Sequence, residues 1–226
     1  MRQTARMKAG DEDELERLAA HLAHDFSNLL TGILGNLELL ERRAARTGIQ
    51  GLEAYTKGAR QAAERAAELT QRLMVLSGRL AQPPQALQLA PLLRQFVASP
   101  AGQGIGLAAP PPETMAVRAD PDELLAALAE LACNAREAAG SGTLEVMTAA
   151  REVVITLRDA GPGMTPDMLA RARHLFFTTH ANGAGRGLGL GIAARIAKRA
   201  GGWLDLESAP GQGCAARLVL PLPGAD

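Results

Sequence analysis

The sequence predicts an α + α/β protein, in which an antiparallel helical hairpin forms a dimeric four-helix bundle and precedes an α/β sandwich. Two observations lead to this division. All 13 prolines of the 226 residues lie at or after Pro83, and the proline-free stretch before them indicates long helices. After Pro83, glycines and prolines separate short segments of mixed helical and strand character. We therefore assign 1–10 to a polar N-terminal segment, 11–80 to the hairpin, 81–88 to a linker and 89–226 to the second domain.

The first helix is predicted from about Asp11 to Thr47, and the second from about Gly51 to Leu80. Apolar residues recur along both at steps of three and four, which is the periodicity of a helix packed along one seam. They are Leu15, Leu18, Leu22, Phe26, Leu29, Ile33, Leu37 and Leu40, then Leu52, Tyr55, Ala59, Ala62, Ala66, Leu69, Leu73, Leu76 and Leu80. The short connection makes the helices antiparallel. Because a lone hairpin cannot bury a seam on each helix, the periodicity predicts a homodimer through the hairpin.

The second domain is predicted to mix helices and strands. Helices are expected at Pro91–Ala98, Asp120–Ala139 and Gly187–Ala200, and strands at Thr143–Thr148, Val153–Arg158, Trp203–Ser208 and Ala215–Leu220. The third helix opens directly out of a glycine-rich loop. This order favours an α/β sandwich whose loops carry the polar, glycine-rich motifs.

Charge and composition exclude several classes of protein. Lys plus Arg and Asp plus Glu both number 24, so no basic excess favours a nucleic-acid partner. No apolar run approaches the roughly 20 residues of a membrane span, and the polar N-terminal stretch has no signal-peptide core. We therefore expect a cytoplasmic protein without membrane insertion. Cys133 and Cys214 stand in apolar surroundings and are expected to be buried free thiols.

Glu130 and Asn134 form the first of three polar motifs. They are four residues apart on a predicted helix and therefore share one face. A carboxylate and an amide on one face suit a hydrated Mg²⁺, which prefers oxygen ligands. An exposed polar stripe would give the same pair, and the pair alone does not decide between these interpretations.

The other two motifs are rich in glycine. Asp159 ends a predicted strand and is followed by Gly161 and Gly163, so a carboxylate would stand at the strand mouth beside backbone that a ligand can approach closely. An ordinary Gly-Pro turn has a similar sequence. The segment 183–191 contains a glycine at every second position and leads into a helix, where free N–H groups favour anions. A flexible loop remains the alternative interpretation.

Taken together, the three motifs resemble the N, G1 and G2 boxes of the histidine kinase ATP-binding domain, which belongs to a superfamily shared with gyrase and heat-shock chaperone ATPases. Phe176 and Phe177 resemble its F box, and the ending after Ser208 is also similar. The segment 22–31, which reads Leu-Ala-His-Asp-Phe-Ser-Asn-Leu-Leu-Thr, resembles the phosphoacceptor box of the dimerisation and histidine-phosphotransfer domain. Ser27 departs from the Asn usual in that form.

The resemblance implies a two-component histidine kinase that autophosphorylates His24 from Mg-ATP and passes the phosphoryl group to a response-regulator receiver domain. Asp25 would accept a proton from the His24 ring, and Asn28 would position water for dephosphorylation of the regulator. In the periodicity, His24 lies two residues beyond Leu22, about 200° around the helix, and therefore points away from the seam. His21 has no matching box position and is assigned no role.

In the ATP site, the resemblance implies Mg²⁺ binding by Asn134 and Glu130 and adenine binding by Asp159. The remaining predicted nucleotide-binding residues are Gly161, Gly163, Thr178, Thr179, Gly185, Gly187, Leu188 and Gly189, the last four belonging to a mobile lid. The polar residues before the first helix are too few for a sensory module. A separate sensor protein is therefore an expected partner unless the chain is the core of a larger kinase.

Three departures from the family pattern leave alternatives open. Glu130 stands where many histidine kinases have Asn, and gyrase-like relatives use a Glu there as the base for ATP hydrolysis. His180 replaces a common lysine, and Cys214 and Ala215 stand where threonine is frequent. The competing interpretations are a dimer-closing ATPase, which Glu130 favours, and a non-catalytic histidine phosphotransfer hub, which the intact N, G1 and G2 motifs disfavour.

Overall fold

The protein is described by a computed structural model at residues 9–47, 52–77, 82–172 and 187–223. The chain divides into two compact units, residues 1–80 and 81–226. Of the helices in the described part of the chain, none combines the length and the apolar character needed to cross a membrane.

The first unit contains helix α1 (Ala9–Thr47) and helix α2 (Glu53–Ser77), which pack against each other. Glu41 of α1 and Arg60 of α2 form an ion pair with a nitrogen–oxygen distance of 2.5 Å. The hydrogen bond from Arg60 lowers the pKa of the Glu41 carboxyl below its usual range. Both helices confirm the elements expected from the periodicity.

The face that α2 buries within the hairpin differs from the predicted seam. Among the side chains of α2 that the structure describes, Thr56, Ala63, Thr70 and Met74 are buried, whereas Ala59 and Ala62 of the predicted seam are exposed. The same holds in α1, where Phe26, Leu29, Ile33 and Leu40 are exposed while Leu30, Leu34 and Leu37 are half-buried. The apolar stripe of each helix is therefore wider than the contact between the two helices, and the hairpin covers only one edge of it.

The second unit is built on a five-stranded sheet in the order β2-β4-β5-β7-β6. The strands are β2 (Ile105–Leu107), β4 (Gly142–Ala149), β5 (Glu152–Asp159), β6 (Trp203–Ser208) and β7 (Cys214–Pro221). Strands β2 and β4 are parallel, and the other neighbours are antiparallel. A separate antiparallel pair joins β1 (Gln85–Gln88) to β3 (Ala116–Ala119).

Four α-helices and one 3₁₀ turn complete the described part of this unit. They are α3 (Leu89–Ala98), the 3₁₀ turn Pro100–Gly102, α4 (Pro121–Ala139), α5 (Pro166–Arg171) and α6 (Gly189–Arg199). Helices α4 and α6 pack on each other and on the sheet. The buried side chains of the two helices include Leu124, Leu128, Leu131, Ile192 and Ile196. They cover two neighbouring rows of buried side chains that run across the sheet strands. The first row is Leu144, Leu157, Ala216 and Leu206, and the second is Ile155, Leu218 and Leu204.

Four predicted strands and three predicted helices are present, but the short elements were not foreseen. Strands β1, β2 and β3 have three or four residues each, too few to show a period of two. The prediction of a linker at 81–88 is wrong for its second half, because Gln85–Gln88 pairs with Ala116–Ala119 as a strand. Cys133 and Cys214 are free, as expected, but each is half-buried instead of fully buried.

Candidate functional site

Helix α4 provides the surface on which the predicted site residues meet. Its start is fixed by Asp120, whose Oδ1 accepts the backbone N–H groups of Asp122 at 2.9 Å and Glu123 at 3.4 Å. Its end is fixed by Gly140 in the left-handed conformation, with a φ of 75°. One face of the helix is buried in the core. This packing fixes the direction in which the polar face of the helix points.

Glu130 and Asn134 lie on one face of α4, as their spacing predicted, and the first residue of α6 packs against them. A Cβ atom at Gly189 would stand 2.9 Å from Glu130 Oε2 and 3.4 Å from both Nδ2 and Oδ1 of Asn134. Glycine therefore lets the N-terminus of α6 approach the polar face without displacing the Glu130 carboxylate. The positive end of the α6 dipole lies beside the Glu130 carboxylate, which is a favourable placement.

The amide of Asn134 has an unused hydrogen-bonding atom. Its Nδ2 is buried and has no hydrogen-bond partner among the described residues. A buried polar atom without a partner costs about 1–3 kcal/mol, so such an atom beside a carboxylate and a helix N-terminus indicates a site that a ligand completes. The N-cap residue of α6, Leu188, makes no side-chain cap hydrogen bond, and the backbone N–H groups of a helix N-terminus favour an anion.

Asp159 ends β5 and folds its carboxylate back on the following loop. Its Oδ1 accepts the backbone N–H of Gly161 at 2.8 Å, which is an Asx turn. Gly161 in turn lies against α4, because a Cβ atom there would stand 2.8 Å from the Cβ of Ala138. Ala138 is one turn beyond Asn134 on the same helical face. The predicted adenine carboxylate and the predicted metal pair are therefore both placed along one face of α4.

The turn between β6 and β7 holds the Asp159 loop from the other side. Ser208 Oγ accepts the backbone N–H of Met164 at 2.9 Å and donates to the carbonyl of Gly213 at 2.6 Å. A Cβ atom at Gly213 would stand 2.1 Å from the Asp159 carbonyl oxygen, and Gly213 has a φ of +70°. Ser208 and Gly213 were not predicted as site residues. The ending after Ser208 resembles that of the family, but no local pattern predicts its contact across to Asp159.

Gly163, Gly187 and Leu188 are the remaining predicted nucleotide residues in the described part of the chain. Gly163 has a φ of +68°, and a Cβ atom there would stand 1.9 Å from the carbonyl oxygen of Ala209, so its glycine is required by the loop itself. Gly187 has a φ of 66°. The side chain of Leu188 is 3% exposed and belongs to the core, so only its backbone is available to a ligand.

Several predicted residues lie beyond what the structure describes. Thr178, Thr179 and Gly185, together with the predicted F box, lie outside the described residues. His24 and Asp25 lie within the backbone of α1, and Asn28 follows them on the same helix with an exposed side chain.

Cys214 lies opposite Asp159 in the register of β5 and β7. Burial raises the pKa of the Cys214 thiol to about 11, and the negative charge of Asp159 adds to this shift. From the sequence, Cys214 was expected to replace a threonine that is frequent at this position in the family. In the structure, the pKa of its thiol responds to the charge at Asp159.

Comparison with known proteins gives the architecture a family. Residues 119–224 match the family described as "Histidine kinase-, DNA gyrase B-, and HSP90-like ATPase", and residues 14–79 match the "His Kinase A (phospho-acceptor) domain". Over 245 aligned positions the chain is 31% identical to the sensor kinase CckA of Brucella abortus (strain 2308), covering 98% of this chain and 25% of CckA. This chain belongs to the sensor histidine kinases. Its second unit is accordingly the ATP-binding domain of a histidine kinase.

Two further relatives agree with this assignment. The kinase chain is 31% identical over 218 residues to the sensor histidine kinase ZraS of Escherichia coli (strain K12), covering 92% of this chain and 46% of ZraS. Full-length ShkA in complex with AMPPNP has a TM-score of 0.71 and 27% identity, over 91% of this chain and 46% of ShkA. The chain thus spans less than half of the length of each of these relatives.

We predict that Gly213→Ala weakens binding of a non-hydrolysable ATP analogue by about tenfold or more. The new Cβ would collide with the Asp159 carbonyl and displace its carboxylate, and a hydrogen bond to a charged group contributes about 1.5–3 kcal/mol. The matched control is Gly211→Ala, because Gly211 also has a positive φ, +76°, but nothing lies within 4 Å of a Cβ there. Titration calorimetry would measure both dissociation constants, and equal affinities would contradict the placement of Asp159 at the site.

We also predict that the Cys214 thiol stays neutral through the ordinary thiol range and reacts with iodoacetamide only as the pH rises from 9.0 toward about 11. The thiolate is the reactive form, so a raised pKa moves the rate profile upward. Asp159→Asn removes the nearby negative charge and should move the midpoint downward. Both profiles would be measured by mass spectrometry in a Cys133→Ala background, and coincident profiles would show that Asp159 is not beside the thiol.

Proposed function

We propose that this chain transfers the γ-phosphoryl group of Mg-ATP to His24 and then to an aspartate of a response-regulator receiver domain. The observation that carries the proposal is the convergence on α4 of the Gly189 helix N-terminus, the Glu130–Asn134 pair and the Asp159 turn. A phosphoacceptor domain on the same chain supplies the histidine. Dephosphorylation of the regulator, with Asn28 positioning the water, is part of the same proposal.

At the nucleotide end, the chain's own groups bind and orient ATP. The Asp159 carboxylate accepts a hydrogen bond from the adenine amino group, and the backbone at Gly161 and Gly163 makes room for the base. The backbone N–H groups at Gly187, Leu188 and Gly189 bind the phosphates at the start of α6. Thr178, Thr179 and Gly185 are assigned to the same phosphate-binding segment.

Glu130 and Asn134 are the residues that would hold Mg²⁺. The fit is favourable because the Glu130 carboxylate and Asn134 Oδ1 offer oxygen ligands at one point. The buried Asn134 Nδ2, which is a donor, would be satisfied by a phosphate oxygen of the nucleotide. When bound, the ion neutralises the charge that develops on the transferring phosphoryl group. The described residues contain no group of three or more His, Cys, Asp or Glu side chains that would form a second such centre.

At the phosphoacceptor, an imidazole nitrogen of His24 attacks the γ-phosphorus while the bond to the ADP oxygen breaks. Asp25 accepts the proton that the ring loses, and a positioned base of this kind contributes about 10²–10⁴-fold to the rate. The phosphoryl group then passes from the His24 nitrogen to a carboxylate oxygen of the regulator, which regenerates the free imidazole.

The homodimer is the second part of the proposal. Phe26, Leu29, Ile33 and Leu40 are 55%, 64%, 48% and 45% exposed, and they form one stripe along α1 beside the face that packs on α2. A second hairpin covering this stripe would complete a four-helix bundle. Since the first unit matches a phospho-acceptor domain, this bundle would carry the phosphoacceptor histidine.

We predict that His24→Ala abolishes labelling of the protein by γ-labelled ATP and leaves nucleotide affinity unchanged. The label on the parent protein should survive alkali and be lost in acid, as a phosphoramidate is. His21→Ala is the matched control, since it lies one turn earlier on the same helix and should be labelled normally. Equal labelling of the His24 variant would overturn the assignment, and steady ATP hydrolysis without any phosphoprotein would favour Glu130 as a hydrolytic base.

We predict that Ile33→Glu converts a dimer into a monomer at micromolar concentration. A charge placed in the exposed stripe would have to be buried without a partner, which costs several kcal/mol in the dimer and nothing in the monomer. Thr31→Glu is the control, because Thr31 is exposed on the opposite face of α1. Light scattering coupled to size-exclusion chromatography gives the masses, and a monomeric parent protein would contradict the dimer.

A further inference from the structure

Asp120 has more hydrogen bonds than a helix cap requires. Its side chain is 3% exposed, and its Oδ1 caps α4 by accepting the N–H groups of Asp122 and Glu123. Its second oxygen, Oδ2, accepts the backbone N–H of Gln82 at 2.5 Å. A serine or threonine would suffice for the cap alone, so the second carboxylate oxygen serves the segment that begins at Gln82.

The segment from Gln82 to Gln85 is where the chain enters the ATP-binding unit. Pro83 and Pro84 have no N–H, so the Gln82 N–H is the only backbone donor among residues 82–84, which the structure describes just before β1. Gln85 pairs with Ala119, the residue before Asp120. The β1–β3 pairing and the Gln82–Asp120 bond therefore hold this segment at two points, at the same corner of the unit.

This corner is also one end of the α4–α6 pair. Arg199, the last residue of α6, binds Glu123 in the first turn of α4 through two contacts, Nη2 to Oε1 at 2.6 Å and Nε to Oε2 at 3.1 Å. The first residue of α6, Gly189, packs at the other end against Glu130. Glu130 lies ten residues after Asp120, about 15 Å along a straight helix. The point where the chain enters and the nucleotide site thus lie at opposite ends of α6, and on α4 they lie at its start and its middle.

We propose that Asp120 is a positioning residue that anchors the connecting chain at Gln82 and so sets the reach between the nucleotide site and His24. This inference rests on the proposed phosphorylation of His24. With the anchor, the ATP-binding unit holds the chain from Gln82 onward; without it, the unit holds the chain only from Gln85. A connection that is three residues longer lowers the effective concentration of one unit at the other, and loss of orientation adds to this.

The test removes the hydrogen bond from each side in the full chain. Gln82→Pro deletes the N–H donor, and the matched control Gln82→Ala keeps it. Asp120→Ser keeps an oxygen for the α4 cap but has no second acceptor for residue 82. Calorimetry with a non-hydrolysable ATP analogue gives the nucleotide affinity, and the initial rate of labelling at saturating γ-labelled ATP gives the phosphorylation step.

The expected result is that Gln82→Pro and Asp120→Ser are labelled about threefold or more slowly, with nucleotide affinity within about twofold of the parent. Gln82→Ala should behave as the parent, and the double variant should be no slower than the slower single variant. Equal rates for Gln82→Pro and Gln82→Ala overturn the inference while leaving the proposed function intact. A loss of nucleotide affinity in Asp120→Ser that matches its loss of labelling rate also overturns the inference and leaves the proposed function intact. Absence of label in every protein, the parent included, overturns the proposed function and this inference with it.

Discussion

The close approach of glycine backbone to one face of α4 is the constraint on which the ATP-binding unit depends. Gly189 lies against Glu130 and Asn134, and Gly161 lies against Ala138 one turn further on. At each contact a single Cβ atom would fall within van der Waals distance of its neighbour. Because Gly189 and Gly161 have no side chains, the α6 N-terminus and the Asp159 turn can both lie close to the same face of α4. The roles that we propose for Glu130 and Asn134 depend on the close approach of those two segments.

The parts of the fold that could be predicted are those whose side chains repeat. Long helices and the strands β4, β5, β6 and β7 carry apolar residues at fixed intervals, and each was located. The strands β1, β2 and β3 owe their existence to partners distant in the chain, as Gln85–Gln88 does to Ala116–Ala119. The hairpin shows a different limit of the sequence. Its periodicity predicts an apolar stripe on each helix, but it does not predict which edge of the stripe packs against the other helix.

The site shows the same division. Glu130 and Asn134 could be placed on one face because four residues make about one helical turn. Asp159 could be placed at a strand end because the strand before it is apolar. No local pattern joins Asp159 to Gly213, or Ser208 to Met164, since those contacts exist only once β5, β6 and β7 lie side by side. Sequence patterns thus predict the groups that we propose to meet a ligand, but not the groups that hold them in place.

The two helices that frame the site differ in stiffness. Helix α4 has its one proline at the first position and no glycine before its cap, so nothing in its interior favours a bend. Helix α6 begins with Gly189 and Gly191 in its first turn and ends at the Arg199–Glu123 pair. Arg199 is 28% exposed and Glu123 only 11%, so this pair is partly shielded from solvent and holds its end of α6 more firmly than a surface pair would. We therefore expect any adjustment of the helix pair to a bound phosphate at the glycine end of α6, next to Glu130 and Asn134. The corner at Asp120 is held by the Arg199–Glu123 pair and by the Gln82–Asp120 hydrogen bond, as an anchor for the connecting chain requires.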